Sequence, residues 1–197
     1  MNTKNKIKRP ELTSAGIEAS YPVTVFDEFG KTRKTHITGE RPLTLYIDKQ
    51  EIVTLMTLGK NPELLVIGYL YNQGFIKKTD DLKSVQVDWE VESAVVLTRG
   101  GISNLEKRLE KRTVTSGCGQ GTVFGDMMED LDKIKLNTPA LRQSSFYRLL
   151  KNIREYNEVY KKSGAVHGCA LCKDEKIEIF IEDVGRHNAT DAIAGYM

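Results

Sequence analysis

The stretch Lys176–Gly195, KIEIFIEDVGRHNATDAIAG, contains a complete change of secondary structure. Ile177, Ile179 and Ile181 recur at every second residue, which is the period of a half-buried strand because successive side chains point to opposite faces. The alternation stops at Glu182 and Asp183. Gly185 permits a turn there, and Asn188 is placed to cap a helix with Asp191 at its third position, where side-chain oxygens meet free amide groups. A strand passing through a glycine turn into a helix is a unit of α/β architecture.

Working outward, GAVHGCALC reads as a second strand joined to the first through KDE. Upstream of it, Phe146, Leu149, Leu150, Ile153 and Tyr160 recur at helical spacing. Ser144 or Ser145 suits the start of that helix, and Lys161, Lys162 and Gly164 suit its end. Asn61 and Pro62 open another helix over ELLVIGYLYNQ, with Gly74 as its stop. Gly68 inside that helix costs about 1 kcal/mol relative to alanine, which points to close packing against a neighbour. YPVTVF, KTRKTHI, LTLYID and EIVTLMTL read as short strands, with a turn at Asp48-Lys49-Gln50, and SVQVDWEV and SAVVLTR as a further pair. SNLEKRLEKR suits a solvated surface. The expected fold is an α/β domain with a mixed sheet flanked by helices and a small N-terminal β subdomain.

With 197 residues, 40% of them hydrophobic, the chain can bury one sizeable core. A net charge of +2 without a dense basic cluster gives no reason to expect nucleic acid or a membrane surface as partner. Residues 1–20 are polar and read as a loose arm, with a single domain over 21–197. They lack the apolar segment of a secretory signal, and no run reaches membrane-spanning length, so a cytoplasmic address is expected. The chain ends soon after the last helix begins, which suggests a truncated C-terminus.

Three cysteines are present. Cys118 lies in TVTSGCGQGTVF, among Gly117, Gly119 and Gly121, and the residues admit two readings: a nucleophile on a reachable segment, or a small residue tolerated there. His167, Cys169 and Cys172, in HGCALC, have the chemistry of zinc ligands and with Cys118 would make four. Regular strand alternation puts Cys169 and Cys172 on opposite faces, so packing is the expectation for both. The H-x-E and P-C-x-x-C patterns of a zinc deaminase are absent. In EDVGRHNATD, Arg186 can hold a phosphate bidentately, His187 can donate or accept, and Glu182, Asp183 and Asp191 can orient them. A salt-bridged helix start is the plainer reading of the same residues.

Taken in order, GYLYNQGFI with the following DDL, then TSGCG, GAVHGCAL and IEDVGRHNATDAIAG, resemble the formate dehydrogenase accessory sulfurtransferase (FdhD) family from about Tyr21 to the chain end. The resemblance implies a cytidine-deaminase-like fold without deaminase chemistry, usually as a homodimer, with family members continuing beyond this C-terminus. It implies a sulfurtransferase: a persulfide sulfur accepted from a cysteine desulfurase and passed to the molybdenum bis(molybdopterin guanine dinucleotide) cofactor that formate dehydrogenase requires. Cys118 matches the first cysteine of the family's C-G-x-C, and Gly121 stands where the second is often found. The expected site is therefore Cys118 as carrier, with His167, Arg186, His187, Asn188 and Asp191 toward the cofactor and no structural metal. The alternative is a zinc-binding module or deaminase-like hydrolase built on Cys118, His167, Cys169 and Cys172.

Overall fold

The computed structural model describes residues 9–102, 105, 112–113, 123–124, 135 and 140–197. Its strands are β1 (Glu11–Leu12), β2 (Ser20–Phe26), β3 (Thr32–Thr38), β4 (Arg41–Ile47), β5 (Gln50–Thr57), β6 (Leu82–Asp88), β7 (Ser93–Thr98), β8 (Arg112–Thr113), β9 (Val123–Phe124), β10 (His167–Lys173) and β11 (Lys176–Asp183). Its α-helices are α1 (Pro62–Asn72), α2 (Gln143–Tyr156), α3 (Glu158–Ser163) and α4 (Arg186–Tyr196).

Five strands form the central sheet in the order β1-β6-β7-β4-β5. The β1–β6 and β4–β7 pairs are parallel, whereas β6–β7 and β4–β5 are antiparallel, so the sheet is mixed as the sequence led one to expect. Asp48 and Lys49 take φ values of +45° and +77°, the left-handed pair of a tight hairpin turn. The Asp48 carboxylate then accepts from Thr98 N and Oγ1, at 3.0 and 2.6 Å, tying this turn to the end of β7. β2 and β3 form a separate two-stranded ribbon, the small N-terminal β unit.

α1 is apolar on almost every side because it is enclosed on almost every side: Leu65 to Leu70 are all buried. It packs with α4 beside the core residues of the sheet, and Ala189, Ala192 and Ile193 of α4 join that core. Two glycines permit the close approach. A Cβ added to Gly68 would lie 1.6 Å from the Asp191 carbonyl oxygen, and one added to Gly195 would lie 2.0 Å from that of Leu64. The close packing read from Gly68 is therefore a backbone-to-backbone helix contact.

Two local expectations change. The N-terminal arm is tied down in its described part: β1 joins the sheet edge, Thr13 Oγ1 and Ala15 N donate to Glu63 Oε1 at 2.9 and 2.6 Å, and Trp89 Nε1 donates to Ala15 O. Its polar residues meet partly buried acceptors, which composition alone does not show. The helix expected to run through to Lys162 breaks at Asn157, and Ser144 and Ser145 lie inside α2 behind the cap residue Arg142. Its continuation is interrupted because Val159 N and Tyr160 N donate to the Glu182 carboxylate, at 2.8 and 2.9 Å, so α3 starts afresh on that acid. Among the described residues, no helix is long and apolar enough to cross a membrane.

Candidate functional site

The antiparallel register of β10 and β11 sets His167 opposite Asp183 and Gly168 opposite Glu182. The start of β10 thus lies beside the end of β11, where Val184 and Gly185 lead into α4. His167, Arg186 and His187, three residues nominated from sequence, are brought to this one end of the hairpin, and all three are exposed.

The rest of the motif points inward. Asp183 is buried, and its Oδ2 accepts from Thr57 Oγ1 at 2.5 Å and Leu58 N at 3.2 Å. Its Oδ1 accepts from Gly185 N at 3.1 Å and Asn188 Nδ2 at 2.8 Å. One carboxylate therefore joins the end of β5, the turn and the first turn of α4. Burial pushes the Asp183 carboxyl up, against the pull of these four donors.

Gly185, not Asn188, is the N-cap of α4. Asp183 already engages the Gly185 amide, so the helix begins before Asn188, whose side chain turns inward and donates to Met56 O at 2.7 Å. Asp191 is also buried; its Oδ1 accepts from Asn72 Nδ2 at 2.6 Å. Burial pushes its carboxyl up to about 6, while Asn72 and the charge of His187 pull the other way. Asn188 and Asp191, expected at the cofactor, thus anchor α4 to β5 and α1. The salt-bridged helix start is replaced by acids bound to amides and a hydroxyl.

Sequence reasoning missed Thr57, Glu63 and Asn72. Each is a polar residue at the edge of an apolar run, and that position was the available signal. Asn72 and Gly68 belong to GYLYNQGFI, and both meet Asp191 of IEDVGRHNATDAIAG, so two separate sequence motifs form one structural joint.

Cys118 lies outside the described residues. On either side of it in the chain, β8 and β9 pair antiparallel, with Thr113 opposite Val123. Cys169 and Cys172 are both half-buried, and Cys169 packs against the main core. The hairpin ladder shifts between them: Leu171 pairs with Ile179 but Cys172 pairs with Ile177, leaving Glu178 as the extra residue. Simple alternation fails at this bulge. Burial and the neighbouring Cys169 both push the Cys172 thiol up, which keeps it in the protonated, weakly nucleophilic form. Among the described residues, no three His, Cys, Asp or Glu side chains converge as a metal site. A broad depression of about 650 Å³ lies at the opposite end of the hairpin, near Tyr156 and Glu175.

Comparison with known proteins places this geometry in context. The model of the FdhD/NarQ family matches residues 38–197. The chain is 32% identical over 162 residues to the Sulfur carrier protein FdhD of Bacillus pumilus, covering 81% of this chain and 62% of that protein. It is 30% identical over 159 residues to the Sulfur carrier protein FdhD of Wolinella succinogenes, covering 79% and 54%. The chain spans less than two thirds of the length of these relatives. A crystal structure from Desulfotalea psychrophila, proposed to be a formate dehydrogenase accessory protein, shares the fold, with a TM-score of 0.67 and 21% identity over 89% of this chain and 67% of that one.

Proposed function

The chain belongs to the FdhD/NarQ family, and on that premise we propose that it carries sulfur as a persulfide on Cys118, from a cysteine desulfurase to the molybdenum bis(molybdopterin guanine dinucleotide) cofactor destined for formate dehydrogenase. The cofactor is the substrate here. We place this role in the cytoplasm and in a homodimer.

The observation that supports the site is the division of labour within Glu182–Asp191. Inward-facing Glu182, Asp183, Asn188 and Asp191 fix the start of α4, and the exposed Arg186 and His187 stand there with His167 close by in the ladder. A guanidinium and two imidazoles beside a helix start suit the pyrophosphate and purine edges of a guanine dinucleotide. Asn188 and Asp191 act by positioning these groups.

Loading is a thiol exchange. The Cys118 thiolate attacks the outer sulfur of the donor's cysteine persulfide. The donor S–S bond breaks, its cysteine leaves as a thiolate, and a new S–S bond forms on Cys118 without net oxidation. Release as sulfide takes a second thiolate, which attacks the Cys118 sulfur and forms a disulfide while the outer sulfur departs with the electron pair of the broken bond. Gly121 in CGQG supplies no such thiol, so the second thiolate comes from outside this stretch.

Incubation with a cysteine desulfurase and cysteine, followed by alkylation and peptide mass spectrometry, tests the carrier. One added sulfur on the Cys118 peptide and an inactive dehydrogenase with Cys118→Ala are expected. Sulfur on Cys169 or Cys172, or full dehydrogenase activity with Cys118→Ala, overturns the assignment. Stoichiometric zinc in the purified protein would favour the metal-bound alternative.

A further inference from the structure

A second polar site lies away from α4. A cavity of about 220 Å³ opens where the short 3-10 turn Thr79–Asp81 meets the chain leaving β7. Phe75 and Ile76, both buried, give it an apolar floor. Gly100 and Gly101 line its rim, and a Cβ added to either would meet nothing within 4 Å. Four charged residues complete the lining: Lys78, Asp80, Asp81 and Arg99.

The two acids differ. Asp81 is engaged by its own chain, since its Oδ2 accepts from Lys77 N and Lys78 N at 3.0 and 3.2 Å. Asp80 holds Arg99 through its backbone carbonyl, which accepts from Nε at 3.2 Å, while its side-chain Oδ1 is buried without a hydrogen-bond partner. A buried carboxylate oxygen without a donor is costly, and native folds leave few of them. Lys78 and Arg99 are both exposed, so they present cations at the mouth rather than in the interior.

We propose that this cavity binds a small zwitterion of the α-amino acid class, with the ammonium group on Asp80 and the carboxylate on Lys78 and Arg99. An inorganic anion would satisfy the cations but set a second negative charge against Asp80. A bare cation would satisfy Asp80 and oppose Lys78 and Arg99. A ligand carrying both charges a few bonds apart satisfies all three. The volume falls below the roughly 300–1,000 Å³ of pockets for drug-sized ligands, which favours a small amino acid over a nucleotide. The proposal is independent of the sulfur-carrier reading.

Isothermal titration of the full chain with L-alanine tests it, with acetate and ethylamine as probes of each half alone. Saturable binding of L-alanine is expected, with both half-ligands at least about tenfold weaker. Asp80→Asn, which keeps the side-chain shape, and Arg99→Ala should each weaken L-alanine by about tenfold or more, and Gly100→Leu should block the mouth while leaving the charges in place. Far-ultraviolet circular dichroism checks that each variant folds. Failure of L-alanine, glycine and L-serine all to saturate overturns the proposal. Acetate binding as tightly as L-alanine, or a folded Asp80→Asn variant that binds unchanged, overturns it as well.

Discussion

Asp183 and Arg186 stand three positions apart in the same motif and face opposite fates. Asp183 is 6% exposed and satisfied by four donors from three parts of the fold, whereas Arg186 is exposed at the start of α4. The acidic half of the motif builds the platform, and the basic half is presented by it. The residues that make this stretch recognisable are thus mostly those that hold it in place. A functional reading of the motif has to be drawn from the few side chains left facing solvent.

The strongest way to break that contrast is to remove the inward acid. Asp183→Ala leaves Thr57 Oγ1, Leu58 N and Gly185 N without their acceptor and should cost about 3–5 kcal/mol, the range for removing one partner from a buried charged network. Urea denaturation reads this directly. A loss below about 1 kcal/mol would show that Asp183 does not clamp the junction.

The helix contact comes next. A Cβ on Gly68 would press on the Asp191 backbone, which cannot rotate away as a flexible side chain could, so α1 and α4 must separate. Gly68→Ala should destabilise by about 2–3 kcal/mol despite the better helix propensity of alanine. A more stable variant would show that the two backbones are not in contact.

Much of this frame was legible in the sequence because local patterns coincide with it. The alternating isoleucines of β11, the Asp48–Lys49 turn and the apolar α1 with proline at its start each answer to a short-range rule. What was not legible depends on partners distant in the chain. Nothing near Asn157 signals that Glu182 will take the amides of Val159 and Tyr160 and split a helix in two. The same holds for Asn188, read as a cap because of its residue type; Asp183 and Gly185 already set the helix start, leaving Asn188 free to reach Met56 O. The exposed part of the site was read correctly as a grouping: His167 reaches the end of the hairpin where Arg186 and His187 begin α4, through a strand register that the motif itself does not encode. The bulge at Leu171 and Cys172 was not legible, because it depends on how Glu178 is accommodated in the partner strand.

Asp191 sharpens the contrast through pH. Its carboxyl is raised from 3.8 to about 6, so the folded state holds that proton more tightly than the unfolded chain does. Stability contributed by the protonated form is therefore full below about pH 4 and is lost as pH rises through 6. Asp183, also raised, changes stability in the same direction. Asp191→Asn keeps an acceptor for Asn72 and removes the titration, so its stability should vary less between pH 4 and 7 and exceed the parent's at pH 7 by about 2 kcal/mol. Identical pH profiles for the two proteins would show that the proton on Asp191 does not contribute.

The smallest expected effect on stability belongs to the outward face, and it is the most informative about function. Arg186 and His187 are exposed, with no salt bridge recorded for either among the described residues, so Arg186→Ala and His187→Ala should each shift stability by less than about 0.5 kcal/mol. Binding should respond differently. A guanidinium contact to phosphate is charge-assisted, and losing it should weaken a guanine nucleotide by about 1.5–3 kcal/mol, or roughly ten- to hundredfold. Guanosine diphosphate titrated into parent and variant proteins, beside urea melts of each, separates the two quantities. Unchanged affinity with unchanged stability would remove the nucleotide from this end of the hairpin and leave α4 as a structural element. Lost stability in Arg186→Ala would break the division between an inward platform and an outward face.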